Sequence, residues 1–348
     1  ARSMEQLAED LQDVRPTVFF GVPRVWEKMH ETLRARLSEA TGTKAKLAGW
    51  ARETALKWNE AVIEGKSPGA LLNLNKSLAD KLVLSKVKGA LGLDEARMLI
   101  SGAAPISPEV LRFFASLDLV IYEGYGQSET SAPTAFSRPG AVRFGSVGKM
   151  IPHMEARVSE EGELQVKGPN IFAGYMKNNE ATANTFTQDG WMKTGDVVKI
   201  DEDGFVFITG RIKDIIITSG GKNITPANLE TDLMNSELVE HAVVVGDARP
   251  YLTALVTLSP DALAAFAKER GVEGDLHENA AVIEAIQQAV DGVNARYARV
   301  ENIRKFRVLK KSLTVEDGEL TPTLKVRRAV VIDRNKDVVD EMYAREPA

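Results

Sequence analysis

The cluster YEGYGQSET (122–130) sets two glycines around Tyr125 and then supplies a hydroxyl, Ser128, and a carboxylate, Glu129. A flat purine could lie against Tyr125 while Ser128 and Glu129 face a phosphate and its magnesium ion; a solvated loop at a strand end is the competing reading. Glu129 stands where the third glycine of a dinucleotide fingerprint belongs, so that fingerprint is excluded. SGAAP (101–105) is a small-residue turn after an apolar run, the kind of place where ligands of open α/β sheets meet backbone closely; taken alone, an ordinary tight turn is the better reading. In GWMKTGDVVKIDEDGFVFITGRIKDIIITSGGKNITP (190–226), Asp196 follows Thr194 and Gly195 and could accept from both hydroxyls of a ribose. Arg211 could bond the same sugar or a phosphate bidentately, although for a lone Asp or Arg solvated surface is the better reading. SGGKNIT misses the Walker pattern, because Asn223 follows Lys222 where Ser or Thr is needed. Lys325 lies past a Thr-Pro-Thr turn in GELTPTLKVRR (318–328), so a loop could present its amine, and a single lysine is otherwise plain surface. Residues 296–311 hold seven Lys/Arg against one acid; this patch could meet nucleotide phosphates or be a solvated face.

The elements around these clusters follow from local pattern. Ser3 and Gln6 read as a capping box opening a helix with Met4, Leu7, Leu11 and Val14 on one face. TVFFGV (17–22) reads as a strand ended by Pro23, followed by a helix with Trp26, Met29, Leu33 and Leu37 at helical spacing. Two helical stretches, about 44–64 and 74–90, flank KSPG. RMLISG, a helix with Ser107 as N-cap and Pro108 in its first turn, and LDLVIY make a βαβ unit and imply a parallel sheet. From about 141 to 218 short alternating strands and one brief helix near 179–186 form a small β subdomain. KDIIIT, a helix capped by Thr225 and Pro226, HAVVVGD, YLTALVTLS, two helices, KFRVLK and a polar final helix make a compact α+β unit.

At 348 residues the chain is long enough for two domains. With 44% hydrophobic and 27% charged residues it has a globular composition, which excludes disorder and collagen. A formal net charge of −5 speaks against nucleic acid as a main partner. The lack of cysteine removes disulfides, thiolate nucleophiles and cysteine metal sites. No apolar run approaches a membrane span, and ARSMEQLAED has no signal-peptide core. A soluble, cytoplasmic protein is expected.

In their order, TVFFGVPRVWEKM, ISGAAP, YEGYGQSET, GYMKNNEAT, GWMKTGD, GRIKDIIITSGGKNITPANLE and LTPTLKVRR resemble the adenylate-forming acyl/aryl-CoA synthetase superfamily, closest to AMP-forming long-chain fatty-acyl-CoA synthetases. The resemblance implies an α/β fold: the C-terminal part of a large AMP-binding domain over 1–210, with a parallel sheet and a β subdomain at about 141–210. A hinge at 210–213 and a mobile α+β domain at 214–348 follow. It implies a ligase that joins a fatty acid to coenzyme A with ATP through an acyl-adenylate. Gly102, Ala103 and Ala104 with Glu123, Gly124 and Tyr125 resemble the adenine slot. Ser128 resembles the phosphate-contacting hydroxyl and Glu129 the Mg2+ carboxylate. Asp196 and Arg211 match the ribose pair, Lys213 the hinge, and Ser219, Gly220 and Gly221 the loop bordering the coenzyme A channel. Lys325 matches the lysine bridging the attacking and phosphoryl oxygens.

Two departures stand out. Leu324 precedes Lys325, where many superfamily members have glycine. The Gly/Ser/Thr-rich phosphate loop is not in this sequence, so a fragment lacking the N-terminal portion of the same enzyme, inactive alone, is expected. A non-catalytic AMP-binding or interaction module and an aryl or very-long-chain ligase are the alternatives. Fatty acid, ATP and coenzyme A are the expected small-molecule partners, with no transmembrane segment and room for peripheral membrane contact.

Overall fold

In the computed structural model of the chain, residues 6–322 and 324–344 are described. Ser3 and Met4 of the first helical pattern, and Thr323 of the Thr-Pro-Thr turn, lie outside them. Packing divides the chain into two compact units between Ile208 and Thr209.

The first unit opens with α1 (Leu7–Val14). Leu7 and Leu11 are buried, but Val14 is exposed, because the helix ends there as Arg15 turns left-handed (φ 46°). Gln6 occupies the N-cap without a side-chain capping bond. β1 (Val18–Gly21) leads into α2 (Pro23–Ser38), where Pro23 takes a first-turn position that needs no N–H. Trp26 is fully buried. Its indole N–H donates to Gly21 O at 3.1 Å and Ile100 O at 3.2 Å, and its ring meets Phe19 and Phe114 edge-on.

α3 (Gly42–Ile63) and α4 (Ala70–Ala79) pack against each other. The buried Ala51, Ala55 and Ala79 let the two backbones approach closely. The second helical stretch starts earlier than the apolar spacing predicts, at Ala70, and carries a π-turn at Asp80–Leu84 before α5 (Ser85–Ala90). Asp118 accepts from Lys76 at 3.0 Å and Lys88 at 2.8 Å, tying these helices to the sheet connection.

β2 (Met98–Gly102), α6 (Pro108–Ser116) and β3 (Ile121–Gln127) form the βαβ unit. Ser107 Oγ accepts from the Glu109 N–H at 3.1 Å. β1, β2 and β3 run parallel; β4 (Ala132–Phe136) and β5 (Lys149–Met150) extend the sheet antiparallel in the order β1-β2-β3-β4-β5. β3 continues through YEGYGQ, where a strand-end loop was the competing expectation, because β4 folds back and pairs Gly124 with Phe136 and Tyr125 with Ala135. β6 (Glu155–Val158), β7 (Glu163–Lys167), β8 (Met192–Ile200) and β9 (Val206–Arg211) make a second sheet, with α7 (Asn179–Thr185) between β7 and β8.

In the second unit β10 (Ile216–Ile217) and β11 (Asn223–Ile224) form a short hairpin. KDIIIT is therefore only partly a strand, because Ile212–Asp214 is a 3-10 turn. α8 (Pro226–Leu233) has Thr225 at its N-cap with no side-chain capping bond. The Thr225 Cγ2 instead fills the space beside Gly210, 2.1 Å from where a Cβ there would sit. β12 (Val239–Val245), β13 (Leu252–Leu258) and β14 (Ile303–Val308) form a mixed sheet, with α9 (Pro260–Arg270) and α10 (Ala280–Asn294) between β13 and β14. α11 (Arg328–Arg334) and α12 (Lys336–Tyr343) follow. Val244, Ala254 and Val256 pack with α8 and α10 residues, whereas Val243, Val245 and Leu255 pack with α11 and α12 residues. Both faces of β13 are covered, which is why every residue in it is buried.

Candidate functional site

Two parallel strands of the first unit end side by side, with Gly102 of β2 in register with Gly124 of β3. A Cβ on Gly102 would lie 2.9 Å from Gly124 O, and one on Gly126 only 1.8 Å from Ala132 O, so glycine at these positions is a condition of strand approach. Ala103 then holds a left-handed φ of 73° without being glycine, and Ala103 and Ala104 are exposed. Strained, small and exposed backbone at the carboxyl end of parallel strands is where open α/β sheets hold ligands. Gly102, Ala103, Ala104, Gly124 and Tyr125 are thus brought to one end of the sheet. Glu123 joins them in sequence but turns its side chain inward and is 7% exposed. Burial, only partly offset by the Gly145 backbone N–H, pushes its carboxyl up to about 8.

Asp196 lies on β8 and is 3% exposed. The Tyr125 hydroxyl donates to its Oδ2 at 2.6 Å, and Gln127 Nε2 donates to the Tyr125 oxygen and to Thr194 O, each at 3.3 Å. Burial, and after it the Asp196 charge, push the Tyr125 phenol well above its ordinary value, so it remains a donor at any physiological pH. The sequence suggests Tyr125 as a purine platform; the structure uses its hydroxyl to orient Asp196. Ser128 and Glu129 form the 3-10 turn after β3. Glu129 Oε1 accepts from the Tyr175 hydroxyl at 2.8 Å, and its carbonyl accepts from the Phe172 N–H at 2.8 Å. Gln127, Thr194 and Tyr175 were not singled out from sequence, although Tyr175 belongs to GYMKNNEAT. Among the described residues no group of three or more His, Asp or Glu could hold a metal ion.

The other candidates belong to the second unit. Arg211 ends β9 and is exposed, and Lys213 is exposed in the following 3-10 turn. Ser219, Gly220 and Gly221 form the exposed tip of the β10–β11 hairpin. The tip is closed by the Gly221 N–H donating to Thr218 O at 2.8 Å. Lys325 sits on a tight turn: its N–H donates to Thr321 Oγ1 at 3.0 Å and its carbonyl accepts from the Thr321 N–H at 2.8 Å. Leu324 takes a left-handed φ of 59°, a conformation that costs a non-glycine residue about 1–2 kcal/mol. That is the physical reason glycine suits this place.

Three residues on, Arg328 donates to Glu230 Oε2 at 2.6 Å and Val244 O at 2.7 Å, anchoring the end of the turn to α8 and β12. Burial, against the opposing pull of Arg328, raises the Glu230 carboxyl. Two cations of the 296–311 patch are ion-paired, Arg296 with Asp232 and Lys310 with Asp275 and Glu278.

The AMP-binding enzyme family model matches residues 1–176, and that of the AMP-binding enzyme C-terminal domain matches residues 213–347. A long-chain-fatty-acid–CoA ligase of Mycobacterium bovis is 42% identical over 337 residues, 95% of this chain and 55% of that protein. One of Xenopus laevis is 36% identical over 365 residues, 97% of this chain and 49% of that protein. The chain therefore spans about half the length of these relatives. The adenylation domain of a carboxylate reductase from Mycobacterium chelonae shares the fold, with a TM-score of 0.68 at 24% identity over 99% of this chain and 49% of that one.

Proposed function

Because the chain belongs to the AMP-binding enzyme family, we propose that its protein is a long-chain fatty-acid CoA ligase. The fatty carboxylate attacks the α-phosphate of ATP and pyrophosphate leaves; the coenzyme A thiol then displaces AMP from the acyl-adenylate. The relatives named as long-chain ligases favour this substrate over an aryl or very-long-chain acid. The observation that carries the reading is the buried Asp196 held by Tyr125 in the unit whose sheet end carries the Gly102–Gly124 cradle. Glycine-lined backbone at 102–104 and 124–125 takes the flat adenine without side-chain obstruction. Asp196 accepts from the ribose hydroxyls, and Arg211 serves the same sugar. Ser128 donates to a phosphate oxygen.

A Mg2+ ion that draws most of its ligands from phosphate and water needs only one or two carboxylates. Glu129, oriented by Tyr175, fits that demand, and the ion would supply neutralisation of phosphate charge. Lys325 would bridge the attacking and phosphoryl oxygens, since such transfer depends on positioning and on cancelling developing negative charge. Lys213 would be the hinge of the second unit, and Ser219, Gly220 and Gly221 would border the pantetheine path in the second half-reaction.

Among the described residues no strand pairs with the outer edge of β1, where Phe20 is 57% exposed. An apolar parallel edge of this kind suits a continuing sheet, here the remaining N-terminal portion of the same enzyme. Peripheral membrane contact has a place as well. Leu71 and Leu74 are 72% and 59% exposed, Leu78 and Leu82 continue the stripe, and the exposed Lys81 and Lys86 lie close to it in sequence. An apolar stripe with a basic surround suits an anionic bilayer surface. Among the described residues no helix is long and apolar enough to cross a membrane; a cytoplasmic location is proposed.

The 348 residues alone are expected to bind AMP weakly and to form no acyl-adenylate at an enzyme-like rate. Calorimetric titration with AMP tests the site. Charge-assisted bonds to Asp196 should make Asp196→Asn bind roughly tenfold or more weakly. No heat at millimolar AMP from the folded chain, or equal affinity in the variant, refutes it.

A further inference from the structure

On the helical side of the first unit, residues of α2, α3 and α6 line an open cleft of about 280 Å³. Three guanidinium groups line it, those of Arg34, Arg52 and Arg112, together with His30, against one carboxylate, Glu109. Its apolar lining is the ring of Phe113 and the side chain of Leu56. The Arg52 guanidinium lies over the Phe113 ring, 4.9 Å from its centroid, and the His30 ring meets the same ring edge-on at 4.4 Å. Arg52 Nε donates to Ser116 Oγ at 3.1 Å, and that hydroxyl donates in turn to Phe113 O at 2.6 Å. The guanidinium is thus held in place on one edge by a fixed hydroxyl and on one face by an aromatic ring.

What it lacks is a counter-charge. Two other part-buried cations have carboxylates: Lys88 has Asp118 and Asp80, and Arg328 has Glu230. Arg112 approaches Glu60 at 3.9 Å. The influences on Arg52 are burial first and the Arg34 charge second, and both disfavour its cationic form. A preorganised guanidinium beside a second one, in a partly desolvated pocket, gains most from an anion that both can reach.

We propose that this cleft is a binding site for a phosphate monoester. The phosphate would accept from Arg52 and Arg34, and the organic part of the ligand would lie against Phe113 and Leu56. Guanidinium forks match phosphate oxygens bidentately, and the cleft is near the lower end of small-ligand pockets in size. The same group could arrive on a soluble ester or on a lipid headgroup.

Glycerol 3-phosphate, titrated into the full chain by calorimetry, and vesicles of phosphatidylcholine with and without phosphatidate, assayed by co-sedimentation, separate the two sources. Binding in either arm should weaken at least about tenfold in Arg52→Gln, while affinity for adenosine, which carries no phosphate, stays unchanged. Arg34→Gln, at an exposed helical position, should weaken it in the same direction and keeps the test decisive if Arg52→Gln does not fold. No binding in either arm, or binding that both substitutions leave intact, overturns the proposal.

Discussion

Replacing Glu123 by glutamine isolates one buried proton. The folded chain holds this carboxyl neutral up to about 8, against an ordinary carboxyl value of 4.5. Between those values the unfolded chain has released a proton that the folded chain keeps, so rising pH favours unfolding. The stabilisation is full below about 4.5 and lost as pH rises through about 8. Its slope is about 1.4 kcal/mol per pH unit, or roughly 5 kcal/mol across the interval. Glutamine has nearly the same shape, stays neutral, and keeps an oxygen for the Gly145 N–H. Glu123→Gln should therefore match the wild type in stability near pH 4.5 and surpass it progressively toward pH 8. The four tryptophans, Trp26, Trp50, Trp58 and Trp191, all belong to the first unit, so their fluorescence during urea unfolding reports that unit alone. Unfolding curves at pH 5, 6, 7 and 8 for both proteins give the difference directly. Parallel pH profiles, with a constant offset between the two, would show that Glu123 is not held neutral by burial.

In a full-length enzyme, Lys325→Ala should slow adenylation by roughly 10²- to 10³-fold and leave thioester formation from supplied acyl-adenylate much less affected. Equal loss in both half-reactions, measured separately, would assign Lys325 a purely structural part. Lys213→Pro fixes φ and removes a backbone donor, so it should alter the two half-reactions unequally if the turn after β9 is a hinge; unchanged rates in both would count against that. Leu71→Ser with Leu74→Ser should reduce co-sedimentation with phosphatidylglycerol vesicles at least about tenfold, since each leucine is worth about 1.5–3 kcal/mol when fully buried. Unaltered sedimentation would place any membrane contact elsewhere.

Features read from a few neighbouring residues were legible in the sequence. Ser107 and Pro108 open α6 as their types require, and the apolar spacing of Trp26 and Leu33 is the buried face of α2. The βαβ unit followed from two β-rich runs around one helical pattern. Where local pattern conflicted with distant contacts, it failed: KDIIIT pairs over only two residues, and the Thr225 side chain packs beside Gly210 instead of capping α8. The candidate site divides in the same way. Its glycines, Asp196 and Glu129 could be picked out by type and order, because each residue type brings its own chemistry. Their partners could not. Tyr125 and Asp196 are 71 positions apart, Glu129 and Tyr175 are 46, and Glu230 and Arg328 are 98. Residue type says that a carboxylate needs a donor, but only strand register and the way β8 and α11 return decide which donor arrives. Burial is settled at the same level: one-letter sequence treats Glu123 and Glu129 alike, and the sheet turns one inward to hold a proton while leaving the other to Tyr175.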